Sequence, residues 1–168
     1  MKKFLTVLLI VLLTLGTQGF SQKKFVIGLV CKTAGNPFFE AVNKGAQEAA
    51  KELGITVLYQ SPAASSVQGQ IDIINSMIAQ KVSAICVSAN DPDALVPVCR
   101  KAQLRGIPIV TFDSAVKPQG RKLFVNQADM EQIGRIQVQL LAKMINYEGE
   151  IAVLSAASTM ANQNTWIE

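Results

Sequence analysis

Polar and charged side chains follow most of the apolar, strand-like runs in this sequence. They are Lys32 and Asn36 after the first run, Asp113 after the fourth, Gln127 after the fifth, and Asn162 and Gln163 after the sixth. A carboxylate accepts hydrogen bonds from two adjacent hydroxyls, an amide both donates and accepts, and a lysine donates. This combination of residue types predicts a site for a small polyhydroxyl ligand such as a sugar.

Aromatic side chains stand close to these polar groups in the sequence. Phe38 and Phe39 open a helix-like segment, and Trp166 lies near the end of the chain. Phe38 and Phe39 are adjacent on one helix and cannot both face the core, so we expect one of them to lie in the binding cleft. Asp91 either contacts the ligand or caps a helix beginning at Pro92. Asp113 either binds the ligand or braces its own loop.

Several enzyme classes find no support in these residues. The chain has no histidine, which makes a zinc site or an imidazole-based triad improbable. The loop after the first run carries one glycine, Gly35, and therefore no dinucleotide-binding fingerprint. Neither a phosphate-binding GxxxxGK[ST] loop nor a GxSxG motif is present. We therefore expect a binding protein that has no metal, no cofactor and no catalytic residue.

The first 21 residues have the pattern of a cleaved secretory signal. Lys2 and Lys3 precede an apolar run over Phe4–Leu15, and small residues stand three and one before a cut after Ser21. The alternative is a membrane anchor, but this run is shorter than the roughly 20 residues that span a bilayer. Without those two lysines, 14 basic residues face 12 acidic ones, a net charge of +2. Nucleic-acid binding is therefore not expected.

The remaining chain alternates strand-like and helix-like segments, which predicts an α/β fold with a three-layer, doubly wound parallel sheet. The predicted strands are Phe25–Cys31, Ile55–Tyr59, Ala84–Ser88, Ile107–Thr111, Leu123–Val125 and Glu150–Leu154. The predicted helices cover Phe38–Leu53, Val67–Ala79, Pro92–Arg105, Met130–Ile145 and a segment starting before residue 168. In the first helix, Phe38, Val42, Ala49 and Leu53 recur at the helical period and are predicted to face the core.

Three cysteines, Cys31, Cys86 and Cys99, occur in apolar runs without a CxxC spacing. Buried unpaired thiols that act as small apolar groups are the favoured interpretation. A disulfide in an oxidising compartment is the alternative.

With these features in place, the sequence resembles periplasmic sugar-binding proteins of the ribose-binding (type I) family. The resemblance is carried by the signal, by IGLVCKTAGNPFFEAVNKGAQEAAKELG, by VSANDPDAL and by GIPIVTFDS. Asp113-Ser114 with Lys117-Pro118, and NQNTW from Asn162, are similar to the rhamnose and autoinducer-2 receptor branch. In that branch the resemblance implies ligand contacts at Lys32, Asp113 and Asn162-Gln163. The autoinducer-2 receptors have Asp where this chain has Asn162, which favours a sugar.

The resemblance also implies how the chain is organised and what it does. Residues 1–21 would be the signal, 22–146 the first lobe of a two-lobed sugar trap, and 147–168 a crossover with the start of a truncated second lobe. The implied function is that of a monomeric periplasmic receptor that delivers a rhamnose-like monosaccharide to the membrane permease of an ABC importer. The alternatives are a sugar or autoinducer-2 receptor feeding chemotaxis or sensor signalling, and a secreted sugar-acting enzyme. A cytoplasmic sugar-responsive repressor is disfavoured because the signal stands where its DNA-binding segment should be.

Overall fold

The structure, a computed structural model, describes residues 24–168. The predicted signal segment, residues 1–21, lies outside the described residues. Among the helices of residues 24–168, none is long and apolar enough to cross a membrane.

Five parallel strands form one sheet with the order β2-β1-β3-β4-β5. The strands are β1 Val26–Val30, β2 Thr56–Gln60, β3 Ala84–Val87, β4 Ile109–Phe112 and β5 Leu123–Val125. The chain runs outward from β1 to β2 and then crosses back to β3, so the loops after β1 and β3 diverge. In open α/β sheets, ligands bind in the crevice at such a reversal.

The helices are α1 Pro37–Leu53, α2 Val67–Ala79, α3 Val96–Leu104, α4 Met130–Met144 and α5 Ala161–Ile167. Helix α1 packs on one face of the sheet and α2 and α3 on the other, which confirms the predicted α/β class and three-layer arrangement. Leu29 of β1 and Cys31, directly after that strand, pack with Phe39 of α1. Val30, the residue between them, joins the larger core with Ile74 of α2. Because β1 is buried on both faces, it appears in the sequence as a continuous apolar run.

The core-facing side of α1 is turned by about one residue from the predicted one. Phe39 and Ala50 are buried and Val42 packs beside them, whereas Phe38 and Leu53 are exposed. Asn36 caps the helix by accepting a hydrogen bond from the Phe38 amide, and Pro37 occupies the first turn. This start orients Phe39 toward the sheet and leaves Phe38 at the cleft. The predicted end of the helix at Gly54 is confirmed by its left-handed φ of 65°.

The predicted helix start at Pro92 is wrong. The Asp91 carboxylate accepts hydrogen bonds from the amides of Asp93 and Ala94, both at 2.8 Å, and the helix begins only at Val96. Asp91 therefore caps a turn rather than the helix. The sequence pattern was ambiguous here because Asp and Pro favour turns as strongly as helix starts.

The predicted sixth strand is also absent from the described residues. Residues 151–155 have no regular secondary structure, and Ile151, Val153 and Leu154 are exposed. A strand needs a neighbour to pair with its backbone, and none of the described strands pairs with this segment. The continuous apolar run over Ile151–Leu154 is compatible with a buried strand, but it has no pairing partner among the described residues.

Helix α4 packs chiefly on α5 rather than on the sheet. Gly134 is its buried residue, and a β-carbon there would collide with the backbone carbonyl of Trp166. Ile136, Val138 and Leu140 are exposed. The packing thus separates α4 and α5 from the layers that cover the sheet.

A fully buried glutamine, Gln70 of α2, ties together the ends of β1 and β3. Its amide nitrogen donates to the carbonyls of Cys31 at 3.1 Å and Ser88 at 2.7 Å. Its amide oxygen accepts from the backbone N–H of Asn90 at 2.8 Å. The Asn90 side chain in turn donates to the carbonyl of Lys32 at 2.9 Å. Since buried backbone groups need partners, this network holds the two loops at a defined separation.

We expect Gln70→Leu to lower the free energy of unfolding by about 1–3 kcal/mol, because buried backbone groups lose their partners. Urea unfolding followed by circular dichroism measures this loss. Gln68→Leu, on the exposed side of the same helix, is the control and should have little effect. Equal stabilities of the two variants would contradict the bracing role.

The three cysteines are unpaired, as the favoured interpretation predicted; Cys31 and Cys99 are buried as expected, whereas Cys86 is half-buried. Burial, together with the nearby Asp113 carboxylate, raises the pKa of Cys31 to about 12. Burial raises the pKa of Cys99 to about 12 as well. At neutral pH both groups are therefore protonated and poorly nucleophilic.

Alkylation of the native protein by iodoacetamide at pH 8 should consequently be slow at Cys31 and Cys99, on the order of a thousandfold slower than at an exposed cysteine. Peptide mass spectrometry after timed labelling gives the rates, and labelling in urea supplies the control in which all three react. Rapid native labelling of Cys31 or Cys99, or a disulfide-linked peptide, would be inconsistent with this structure.

Candidate functional site

A cleft of about 540 Å³ lies at the carboxyl ends of the strands. Its walls come from the loops after β1, β4 and β5, from the start of α1, and from α4 and α5. Eight of the nine residues predicted as ligand contacts line it; they are Lys32, Asn36, Phe38, Phe39, Asp113, Gln127, Asn162 and Gln163. The sequence pattern thus identified side chains that the fold brings together from segments far apart in the chain.

The centre of the cleft is a buried ion pair between Lys32 and Asp113. The Lys32 ammonium lies 3.1 Å from the Asp113 carboxylate, and each side chain is only 10% exposed. Burial lowers the pKa of Lys32, and the Asp113 carboxylate offsets part of that shift. The Ser88 hydroxyl, at the end of β3, donates to the same carboxylate at 2.6 Å. Two loops on either side of the sheet reversal therefore meet at Asp113.

Asn162, at the start of α5, bridges the two charged groups. Its amide nitrogen donates to Asp113 at 3.1 Å, and its oxygen accepts from the Lys32 ammonium at 3.3 Å and from Ser114 at 3.2 Å. The residue is 8% exposed. An amide fits this place because it donates to the anion and accepts from the cation at once.

The backbone at Asp113 adopts a conformation that non-glycine residues rarely use. Its φ is 56°, and the amide of Ser114 donates back to the carbonyl of Phe112 across it. This is a γ-turn of the strained kind. The backbone amide of Asp113 also donates to the side-chain oxygen of Gln127 at 3.2 Å. The turn and Gln127 together aim the carboxylate into the cleft, and strain of this type is often found at functional sites.

The remaining predicted residues supply amides and aromatic surface. Phe38 and Phe39 meet edge to face with centroids 5.2 Å apart; Phe39 is buried and Phe38 is 46% exposed. The Asn36 oxygen is engaged in capping α1. The Gln163 oxygen accepts from Ser155 and from the amide of Ala156. In Asn36 and Gln163 the amide nitrogen therefore remains for a ligand oxygen.

Asp91 is the predicted contact that does not line the cleft. Its carboxylate is taken up by the turn before α3, as described above.

Among the cleft residues that were not predicted are Thr33, Ser65, Ala128 and Ala156; the large apolar ones are Met130, Ile133 and Met160. Their apolar side chains are indistinguishable in sequence from core-facing residues of α4 and α5. The fold exposes them to the cleft because α4 does not cover the sheet. Trp166, which sequence analysis placed only near the polar residues, also lines the cleft and donates its indole N–H to the Met130 sulfur at 3.3 Å.

Comparison with known proteins shows which family has this architecture. Residues 27–168 match the family model described as a periplasmic binding protein domain. The ribose import binding protein RbsB of Bacillus subtilis is 28% identical over 134 residues, which cover 80% of this chain and 43% of that protein. The chain thus spans less than half the length of this relative.

Two solved structures with bound ligands are similar over most of the chain. An ABC transporter solute-binding protein from Clostridium phytofermentas with bound L-rhamnose is 37% identical, with a TM-score of 0.82, and covers 86% of this chain and 45% of its own. LsrB from Clostridium saccharobutylicum in complex with AI-2 is 32% identical, with a TM-score of 0.75, covering 84% and 46%. The family model and both structures agree with the observed sheet, so this chain belongs to the periplasmic binding protein family.

Proposed function

We propose that the protein is the receptor of an ABC importer and captures a small sugar of the L-rhamnose type in the periplasm. The observation that carries the proposal is the Lys32–Asp113–Asn162 cluster, buried at the sheet reversal and open to a cleft with aromatic surface. The similarity to a protein with bound L-rhamnose supports the choice of sugar. The ribose-importing relative supports the sugar class and the importer role.

The chemistry of the cluster suits a sugar with adjacent hydroxyls. The Lys32 ammonium has three N–H donors, and the contacts to Asp113 and Asn162 use two of them. The third can donate to a sugar oxygen, while the carboxylate accepts from hydroxyls. Hydrogen bonds to charged groups contribute about 1.5–3 kcal/mol each. Phe38 offers an aromatic face to the C–H side of the ring. Binding of this kind involves no covalent step.

The packing of α4 on α5 supports an earlier lobe boundary than residue 146, the end of the first lobe implied by the family resemblance. The reason is that α4 packs on α5 and does not cover the sheet. The proposed crossing between lobes therefore lies at Asn126–Ala128, directly after β5, and α4 and α5 belong to the second lobe. Asn162 contacts Lys32 and Asp113 in this structure, so opening of the two lobes would break these contacts and closure would restore them, which couples sugar binding to lobe movement. We further propose that residues 1–21 are a secretory signal and direct export of the protein to the periplasm.

Calorimetry of the intact protein with L-rhamnose, D-ribose, D-galactose and autoinducer-2 tests the function. We expect L-rhamnose to bind most tightly. No heat with any of these ligands would contradict the proposal, and a preference for autoinducer-2 would favour the signalling alternative. NMR of the sugar after prolonged incubation should show it unchanged; a converted product would instead support the enzyme alternative. Co-purification with a permease rather than with a chemoreceptor or sensor kinase is expected for the transport role.

A substitution at the charged centre tests the site itself. Asp113→Ala should weaken sugar binding at least tenfold, which corresponds to about 1.4 kcal/mol. The reason is that the variant removes the hydroxyl acceptor and leaves Lys32 buried without its counter-charge. Asp93→Ala, at an exposed carboxylate outside the cleft, is the matched control and should bind as the unchanged protein does. Equal affinities of the two variants for the sugar would show that Asp113 does not contribute to binding.

A further inference from the structure

The cleft has a continuous apolar wall made by Met130 and Ile133 of α4 and by Met160 and Trp166 near and on α5. Met160 is 5% exposed, and Met130, Ile133 and Trp166 are half-buried. The two helices pack closely at Gly134, because the absence of a side chain there leaves room for the Trp166 backbone. The wall is therefore a formed surface of the site rather than a loose cluster of side chains.

This wall offers no polar group to a ligand hydroxyl. Three of its members carry only apolar or weakly accepting side chains. The fourth, Trp166, has one donor, and that N–H is directed at the Met130 sulfur at 3.3 Å. A thioether is a weak acceptor, but this contact keeps the indole donor within the wall.

The polar contacts of the cleft come from other side chains. Lys32, Asp113 and Asn162 form the charged cluster, and Gln127 and Gln163 add amides. Phe38 of α1 also lines the cleft and offers an aromatic face on which the sugar ring can lie. With the ring on Phe38, the wall on α4 and α5 is left to contact an apolar substituent of the sugar.

From this arrangement, and on the basis of the sugar-binding function proposed above, we propose that the wall of Met130, Ile133, Met160 and Trp166 selects sugars that carry a methyl group in place of a hydroxymethyl group. The ligand class is thus the 6-deoxyhexoses. A methyl group can pack against this wall without losing a hydrogen bond. A hydroxyl placed there loses its hydrogen bonds to water and finds no protein group to replace them. An apolar pocket discriminates against an added hydroxyl by about a hundredfold at most.

The test compares sugars that differ only in the oxygen at C6. The pairs are L-rhamnose with L-mannose, and 6-deoxy-D-allose with D-allose, each titrated into the intact protein by calorimetry. Within whichever pair binds, the deoxy member should bind about 10 to 100 times more tightly. Equal or tighter binding of the hydroxymethyl sugar would overturn the inference while leaving the sugar-receptor function in place. Absence of binding by both pairs would overturn the inference together with that function.

A matched pair of variants tests whether the wall determines the preference for 6-deoxy sugars. Ile133→Thr keeps the branch at Cβ but replaces the ethyl group with a hydroxyl in the cleft, and it should reduce the preference for the deoxy sugar by about tenfold. Ile136→Thr makes the same change one turn along α4, at a residue that is 49% exposed and outside the cleft. It should leave the preference unchanged. An unchanged ratio in Ile133→Thr, or an equal change in both folded variants, would contradict the assignment.

Discussion

The buried ion pair between Lys32 and Asp113 is the interaction on which the site depends. Two charges that are 90% removed from solvent are costly unless each has a close counter-charge and further hydrogen bonds. Here Ser88 and Asn162 complete the shell of the carboxylate, and Asn162 also contacts the ammonium. The pair lies at the end of the sheet where the strand order reverses. Its contacts come from the loops after β1, β3 and β4, so all three loops must be correctly positioned for the pair to form.

The support for this pair is built into the α/β layers. Gln70 reaches from α2 to the ends of β1 and β3, and Asn90 continues the network to the Lys32 backbone. At β4, the left-handed turn at Asp113 and the hydrogen bond to Gln127 set the direction of the carboxylate. Since none of these supports needs a ligand, this part of the cleft is pre-organised, and the energy of binding a ligand would not be spent on ordering it.

Much of this could be predicted from the sequence because the fold repeats one simple unit. Continuous apolar runs indicated buried parallel strands, Gly54 marked the end of α1, and the polar residues after the strands had to meet at one edge. Features decided by distant contacts were not predictable. The sequence gives no sign that Gln70 points inward, because a polar residue on an amphipathic helix normally faces solvent. The apolar run over Ile151–Leu154 indicated a strand, but strand formation depends on a pairing partner. Phe38 and Phe39 differ in burial by a single helical step, which periodicity does not resolve.

The central claim is that sugar hydroxyls are held by the Lys32–Asp113–Asn162 cluster. A crystal structure of the intact protein with L-rhamnose measures this directly. The account predicts sugar hydroxyls within roughly 2.5–3.2 Å of the Asp113 carboxylate and of the Lys32 ammonium. It also predicts that the methyl group lies against Ile133 and Trp166. A sugar bound elsewhere, or one whose hydroxyls leave Lys32 and Asp113 untouched, would contradict the account.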